Sequence, residues 1–110
     1  MTNEDYAIKL FTSKYGSELT SRFRKLKEEF NELTDAYSKY LDHKDTLEHF
    51  LEEVRDCEAV LAHIRRTLSS QTHEESMLDV IIKIKIREHN PNYMKHEIDQ
   101  FPFSDENLIF

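Results

Sequence analysis

The chain has 110 residues, 38% of them apolar and 34% charged, with a net charge of −7. That length is one domain of ordinary size with a modest core, and that charge argues against a nucleic-acid partner, because neutralising phosphates takes a basic face. No apolar stretch approaches the ~20 residues of a membrane span, no N-terminal run reads as a signal peptide, and the single cysteine, Cys57, allows no intrachain disulfide; a soluble cytoplasmic protein without a membrane partner is the expectation.

Gly16, Pro91 and Pro102 are the only glycine and prolines, which favours long helices over many short strands. Residues 4–14 predict a short helix ended by Gly16. Ser17 then reads as the N-cap of a second helix over about 18–41. Its apolar residues, Leu19, Phe23, Leu26, Phe30, Leu33, Tyr37 and Tyr40/Leu41, recur at steps of four and three, the period of a helix packed on other helices. The short basic cluster in it, Arg22, Arg24, Lys25 and Lys27, reads as a solvated face. After the break at "LDHKDTLEHF", Asp45 and Glu48 suggest a capping box for a third helix over about 46–68, with the seam Leu47, Phe50/Leu51, Val54, Cys57, Leu61, Ile64, Leu68.

Thr72 and Glu75 form a second capping-box pattern. In "DVIIKIKIREH", Ile82, Ile84 and Ile86 alternate with Lys83, Lys85 and Arg87. Alone, that pattern describes a strand. With a cap before it and no partner strand elsewhere, a helix over about 73–89 is the better prediction, since a lone strand leaves its backbone unpaired. Pro91 closes it. Residues 91–110 lose the period but keep Tyr93, Ile98, Phe101, Phe103, Leu108, Ile109 and Phe110, as a strap packed on the bundle or on a neighbouring subunit would. The fold class expected is all-α, an antiparallel bundle of about four helices over residues 1–90. The two seams carry more apolar surface than one helix pair can bury, so oligomerisation, as a homodimer or homotetramer, would complete it.

Two acid pairs flank these seams. Glu29 and Glu32 in "KLKEEFNELTDAY" are three apart, and so are Glu53 and Asp56 in "FLEEVRDCEAVL". Residues at that spacing share one side of a helix, and each acid is one residue, about 100°, from a seam position. An antiparallel pair of such helices brings the flanks together. Four converging carboxylates cannot all stay ionised without a cation, and oxygen-only ligands suit a hard divalent ion that also engages phosphates. Spacing alone equally fits a solvated flank, since glutamate is a good helix former.

"EEFNE" followed by "EEVRD" resembles the ExxE…ExxD signature of the MazG-like family, the all-α nucleoside triphosphate pyrophosphohydrolases related to dimeric dUTPases and to phosphoribosyl-ATP pyrophosphohydrolase. The resemblance spans roughly residues 20–90. It implies Mg²⁺, with Mn²⁺ as an alternative, held by Glu29, Glu32, Glu53 and Asp56. It also implies hydrolysis of a nucleoside triphosphate to the monophosphate and pyrophosphate, clearing noncanonical or excess nucleotides, with one of the four acids orienting or deprotonating water. A phosphate-binding set on the following helix is implied too: Lys83, Arg87 and Asn90, with Asp79 as a further ligand or a partner of Lys83. The chain departs from the family in having Arg55 where a glycine is common and no tryptophan. Base stacking would fall to Phe11, Tyr15, Phe23 or a tyrosine of the second helix.

Other residues read as structural. Cys57 is a small core side chain, because surrounding acids disfavour a thiolate. The six histidines show no zinc spacing, and His63 is expected in the core. A helical interaction protein that keeps this fold without turnover is the alternative, supported by the aromatic seams and the apolar tail.

Overall fold

The computed structural model describes residues 1–90. They form four α-helices and, among the described residues, no strand: α1 (Asn3–Tyr15), α2 (Leu19–Leu41), α3 (Leu47–Leu68) and α4 (His73–Glu88). The all-α class expected from the sequence is what the chain adopts. No described helix is long and apolar enough to cross a membrane. The chain divides into two compact units, Met1–Gln71 and a second that begins at Thr72. The strap expected over 91–110 lies outside the described residues.

Side chains set the helix starts. At α1 the Asp5 N–H donates to the Thr2 hydroxyl at 3.1 Å and the Thr2 N–H donates to the Asp5 carboxylate at 3.0 Å, a capping box with Asp in place of Glu or Gln. The Thr2 backbone donor, followed by Arg66, holds the Asp5 carboxyl down at about 2. Gly16, at φ 74°, stops α1 as expected. Two predicted caps sit one residue early. Glu18, not Ser17, is the N-cap of α2, and it makes no side-chain cap bond. Thr46, not Asp45, is the N-cap of α3 and accepts the His49 N–H at 3.1 Å. Asp45 instead accepts the Thr46 N–H and bonds His49 Nδ1, while Glu48 pairs with Arg55 at 3.0 Å. The Thr72–Glu75 box is present in full. The isoleucine alternation after it is helical, so its backbone bonds run along the segment and no second strand is needed.

The end of α2 is a Schellman motif. The Lys44 N–H donates to the Lys39 carbonyl at 2.9 Å and the His43 N–H to the Tyr40 carbonyl at 3.1 Å. His43 occupies the left-handed position at φ 58°, where glycine carries no Cβ penalty. His43→Gly is therefore expected to stabilise the protein by about 1 kcal/mol, read as a higher urea midpoint at unchanged slope. An unchanged or lower midpoint would show that the imidazole stabilises the turn.

Within the first unit α2 and α3 form an antiparallel hairpin, with Tyr37 and Tyr40 against Phe50 near the turn. α1 buries no residue of its own. It is tied to the end of α3 by Glu4–Arg65 (2.7 Å), Asp5–Arg66 (2.8 Å) and a 3.2 Å hydrogen bond between Thr12 and His63. The face that α2 buries is not centred on its apolar stripe. Arg22, Glu29 and Ala36, seven residues apart, are its buried positions, while Phe23 and Phe30 are 52% and 54% exposed. Relative to the predicted seam the helix is turned by about one residue, ~100°. Two consequences follow. Apolar side chains of both helices, among them Phe23, Phe30, Leu51 and Leu61, face outward. And charged groups of α2 are carried into the helix interface.

Candidate metal centre

α2 presents Glu29 from its buried face, and α3, running the other way, presents Glu53 and Asp56 opposite it. One oxygen of each of these three carboxylates lies within 4.8 Å of the other two. Burial grades across the cluster: Glu29 is buried, Glu53 half-buried and Asp56 exposed. The expectation that all four motif acids flank the apolar face needs correction, because Glu29 sits within the interface at 7% exposure.

Glu32, the fourth acid, is exposed and outside the three-carboxylate group. It still feels the others. The Glu29 charge, some desolvation, a Glu29 hydrogen bond and the Glu53 charge push its pKa up. Asp56 is pushed up by desolvation first and then by Glu29 and Glu52. Cys57 is buried, as expected of a core side chain. Desolvation raises its thiol pKa, and all four acids, Glu29, Glu53, Asp56 and Glu32, raise it further.

Two supports hold the acids in place. Lys25 Nζ pairs with Glu29 Oε1 at 3.0 Å; this bond, opposed by desolvation, leaves the lysine pKa above its ordinary value. His49 stands between Asp45 and Glu53, with Nδ1 on Asp45 and Nε2 3.4 Å from Glu53 Oε1. Asp45 is the main cause of the raised His49 pKa. His49 has no zinc-site spacing to another histidine or to Cys57, yet its i±4 neighbours, Asp45 and Glu53, are both acids. What remains unmatched is informative. Glu29 Oε2 and Glu53 Oε2 are sealed from solvent and have no hydrogen-bond partner. Buried carboxylate oxygens without donors are costly, and a hard divalent cation is the group that oxygen-only donors of this kind fit.

Beside the acids runs a cleft of roughly 210 Å³ among α1, α2 and α3. Phe11 and Tyr15, two of the stacking candidates, line it; Phe23 lies on another surface, against Leu19, Thr20, Arg24 and Lys27. Arg22, Lys25 and His63 also line the cleft. The solvated-face reading of the basic cluster therefore holds for Arg24 and Lys27, which are exposed, but not for Arg22, which is 6% exposed. The signal was available: Arg22, Lys25 and Glu29 are spaced i, i+3, i+7, one helix face. His63 is 1% exposed, as expected for a core histidine, and burial with the nearby Arg22 charge lowers its pKa.

In the second unit Asp79, Lys83, Arg87 and Asn90 line a single groove of α4 with Ile82 and Ile86. Because the segment is helical, Asp79, Lys83 and Arg87 share one face at i, i+4 steps, and Asn90, just past the end of α4, lines the same groove.

Comparison with known proteins adds no relative: no family model matches the chain, no curated protein matches it, and no solved structure matches it.

Proposed function

We propose that the protein is a divalent-metal-dependent nucleoside triphosphate pyrophosphohydrolase that clears noncanonical or excess nucleotides in the cytoplasm. The observation that carries this is the convergence of Glu29, Glu53 and Asp56 from two antiparallel helices, with two buried carboxylate oxygens lacking any donor. The motif resemblance over residues 20–90 supports it. Glu29, Glu53 and Asp56 would hold Mg²⁺ or Mn²⁺, with Glu32 at the edge. Bound there, the ion would neutralise the acids, polarise phosphoryl oxygens and lower the pKa of a bound water. Lys25 and His49 keep Glu29 and Glu53 aligned before any ligand arrives. Glu32, exposed and with its pKa raised, is the acid best suited to take the proton of the attacking water. Phe11 and Tyr15 supply aromatic surface along one side of the cleft. The resemblance also implies phosphate binding by Lys83, Arg87 and Asn90, with Asp79 as a further ligand or a partner of Lys83; in the second unit these four line one groove.

The test is pyrophosphate release from a panel of canonical and modified nucleoside triphosphates, with Mg²⁺ and with EDTA. Metal-dependent release from a subset of the panel supports the assignment. Silence across the panel, from a folded protein, transfers the function to the alternative.

That alternative, a non-catalytic helical interaction protein, draws on the outward apolar side chains of α2 and α3. The same side chains support a homodimer or homotetramer under either function, because monomers rarely leave such stripes uncovered. Phe30→Asp is expected to shift the sedimentation coefficient to that of a monomer. A wild-type chain that sediments as a monomer would remove the case for assembly.

A further inference from the structure

The cleft beside the acids contains a group that metal binding leaves unexplained. Arg22 is 6% exposed, and its Nε is sealed and unpartnered. Its one hydrogen bond among the described residues runs from Nη2 to Ser21 Oγ at 3.1 Å, and its guanidinium carbon lies 4.9 Å from the centre of the Tyr15 ring. A buried guanidinium with no carboxylate partner is costly. An arginine so placed has spare donors and no acceptor.

Position gives those donors a use. On α2, Arg22 precedes Glu29 by seven residues, two turns or about 10 Å along the axis; on antiparallel α3, His63 follows Asp56 by seven. The cleft therefore runs from an acidic end at Glu29 and Asp56 to an end formed by the buried Arg22 and His63, along Phe11, Tyr15, Ala59 and Val60. A nucleotide whose phosphates lie at the acids sends its base inward. The atoms of the base farthest from the sugar then meet a donor-only fork.

We propose that Arg22 is a specificity-determining residue that selects bases carrying a carbonyl at that distal edge and rejects those carrying an amine. This rests on the pyrophosphohydrolase reading of the acid cluster. A 6-oxopurine offers two adjacent acceptors, O6 and N7, the pair that a guanidinium fork engages best. Uracil and thymine offer one, O4. Adenine keeps N7 but sets an amino group against the second arm of the fork, and cytosine sets its amino group where uracil has O4, donor against donor in both. His63 adds no positive charge at the buried end, and its Nε2 is engaged by the Thr12 hydroxyl at 3.2 Å.

Matched pairs isolate the single group: ITP against ATP, and UTP against CTP. Wild-type kcat/KM should favour the oxo member of each pair by about ten- to a hundredfold. Binding of the monophosphates IMP, AMP, UMP and CMP with Mg²⁺ present, followed by calorimetry, should show the same order without turnover. Arg22→Met, of similar length but uncharged, should bring each ratio to within about twofold, and Arg22→Lys, which keeps charge without the fork, should lose most of the purine preference. Equal handling of the members of each pair by the wild type, in both assays, overturns the assignment with no variant needed. So does a preference that survives in a folded Arg22→Met protein. Turnover without discrimination sinks the role of Arg22 and keeps the hydrolase. Discrimination among the monophosphates with no turnover of any triphosphate keeps Arg22 as the selector and sinks the hydrolase.

Discussion

Glu53→Gln will release pyrophosphate on the order of 10²- to 10³-fold more slowly than the wild type, and in EDTA it will melt at a higher temperature. The two effects come from one change. Glu53 contributes one of three mutually close carboxylates and one of two buried oxygens that no donor reaches. Replacing it by the amide removes a charged ligand at the point where phosphoryl charge must be stabilised, and a single such group is worth about this much in rate. The same replacement removes negative charge that raises the pKa of Glu32 and Cys57, relieving repulsion that only a cation otherwise relieves. The 3.4 Å contact with His49 Nε2 is weakened but not emptied, since the amide oxygen can still accept. A gain of about 1 kcal/mol would raise the melting temperature by about 4–8 °C. Wild-type turnover in this variant would remove Glu53 from the site. Lost turnover with a lowered melting temperature in EDTA would mean that the acids are structural and not in mutual repulsion.

The helices were legible because their signals are local. Steps of three and four along Leu19–Leu41 and Leu47–Leu68, Gly16, and the Thr72–Glu75 box each act within a turn or two, and the cap settled what the isoleucine alternation left open. The caps missed by one residue show the limit. At residues 45–46 both Asp and Thr can cap, and which one does depends on where the Schellman turn through His43 delivers the chain. The candidate site was legible in type and not in rotation. Acid spacing identified Glu29, Glu53 and Asp56, but placed them on a flank, because a seam read from apolar residues assumes that the most apolar face is the buried one. In α2 it is not: Phe23 and Phe30 face out, while Arg22 and Glu29 face α3. Burying a charged face is unfavourable for a hairpin alone. It becomes intelligible if the outward stripe meets a second copy and the charged face meets a ligand. No property of α2 read by itself contains either partner. Arg22 was overlooked for the same reason, being grouped with its sequence neighbours Arg24 and Lys27 when its spatial neighbours are Tyr15 and His63.

The increment in melting temperature produced by Mg²⁺ will grow with pH, from nearly nothing at about pH 4 to its full size by about pH 8. In the metal-free protein Glu32 and Asp56 have folded pKa values above their ordinary 4.5 and 3.8. For an acid so raised, the charged form carries the cost of folding. That cost is present at neutral pH and disappears as pH falls through the folded pKa, so in EDTA these groups make the protein more stable on acidification. His49, raised from 6.5 by Asp45, acts in the same direction: its contribution is complete below 6.5 and is lost as pH rises through the folded value. His63, lowered by burial, acts oppositely, since its unfolded form gains a proton below 6.5 that the folded form resists. His63 contributes alike to both melting curves and cancels in the difference between Mg²⁺ and EDTA, whereas His49, which touches Glu53, responds to the ion together with the acids. Mg²⁺ needs them ionised and binds only the folded chain, so its stabilisation follows mass action. At a hundred times the dissociation constant that is about 2.7 kcal/mol, roughly 10 °C or more for a domain of this size. The curves should therefore separate as pH rises, the EDTA curve losing the acids' contribution while the Mg²⁺ curve holds. An increment that is the same at pH 5 and pH 8 would place the ion away from Glu29, Glu53 and Asp56. No increment at any pH would leave the three carboxylates with Lys25 and His49 as their only counter-charges among the described residues, and would favour the interaction protein.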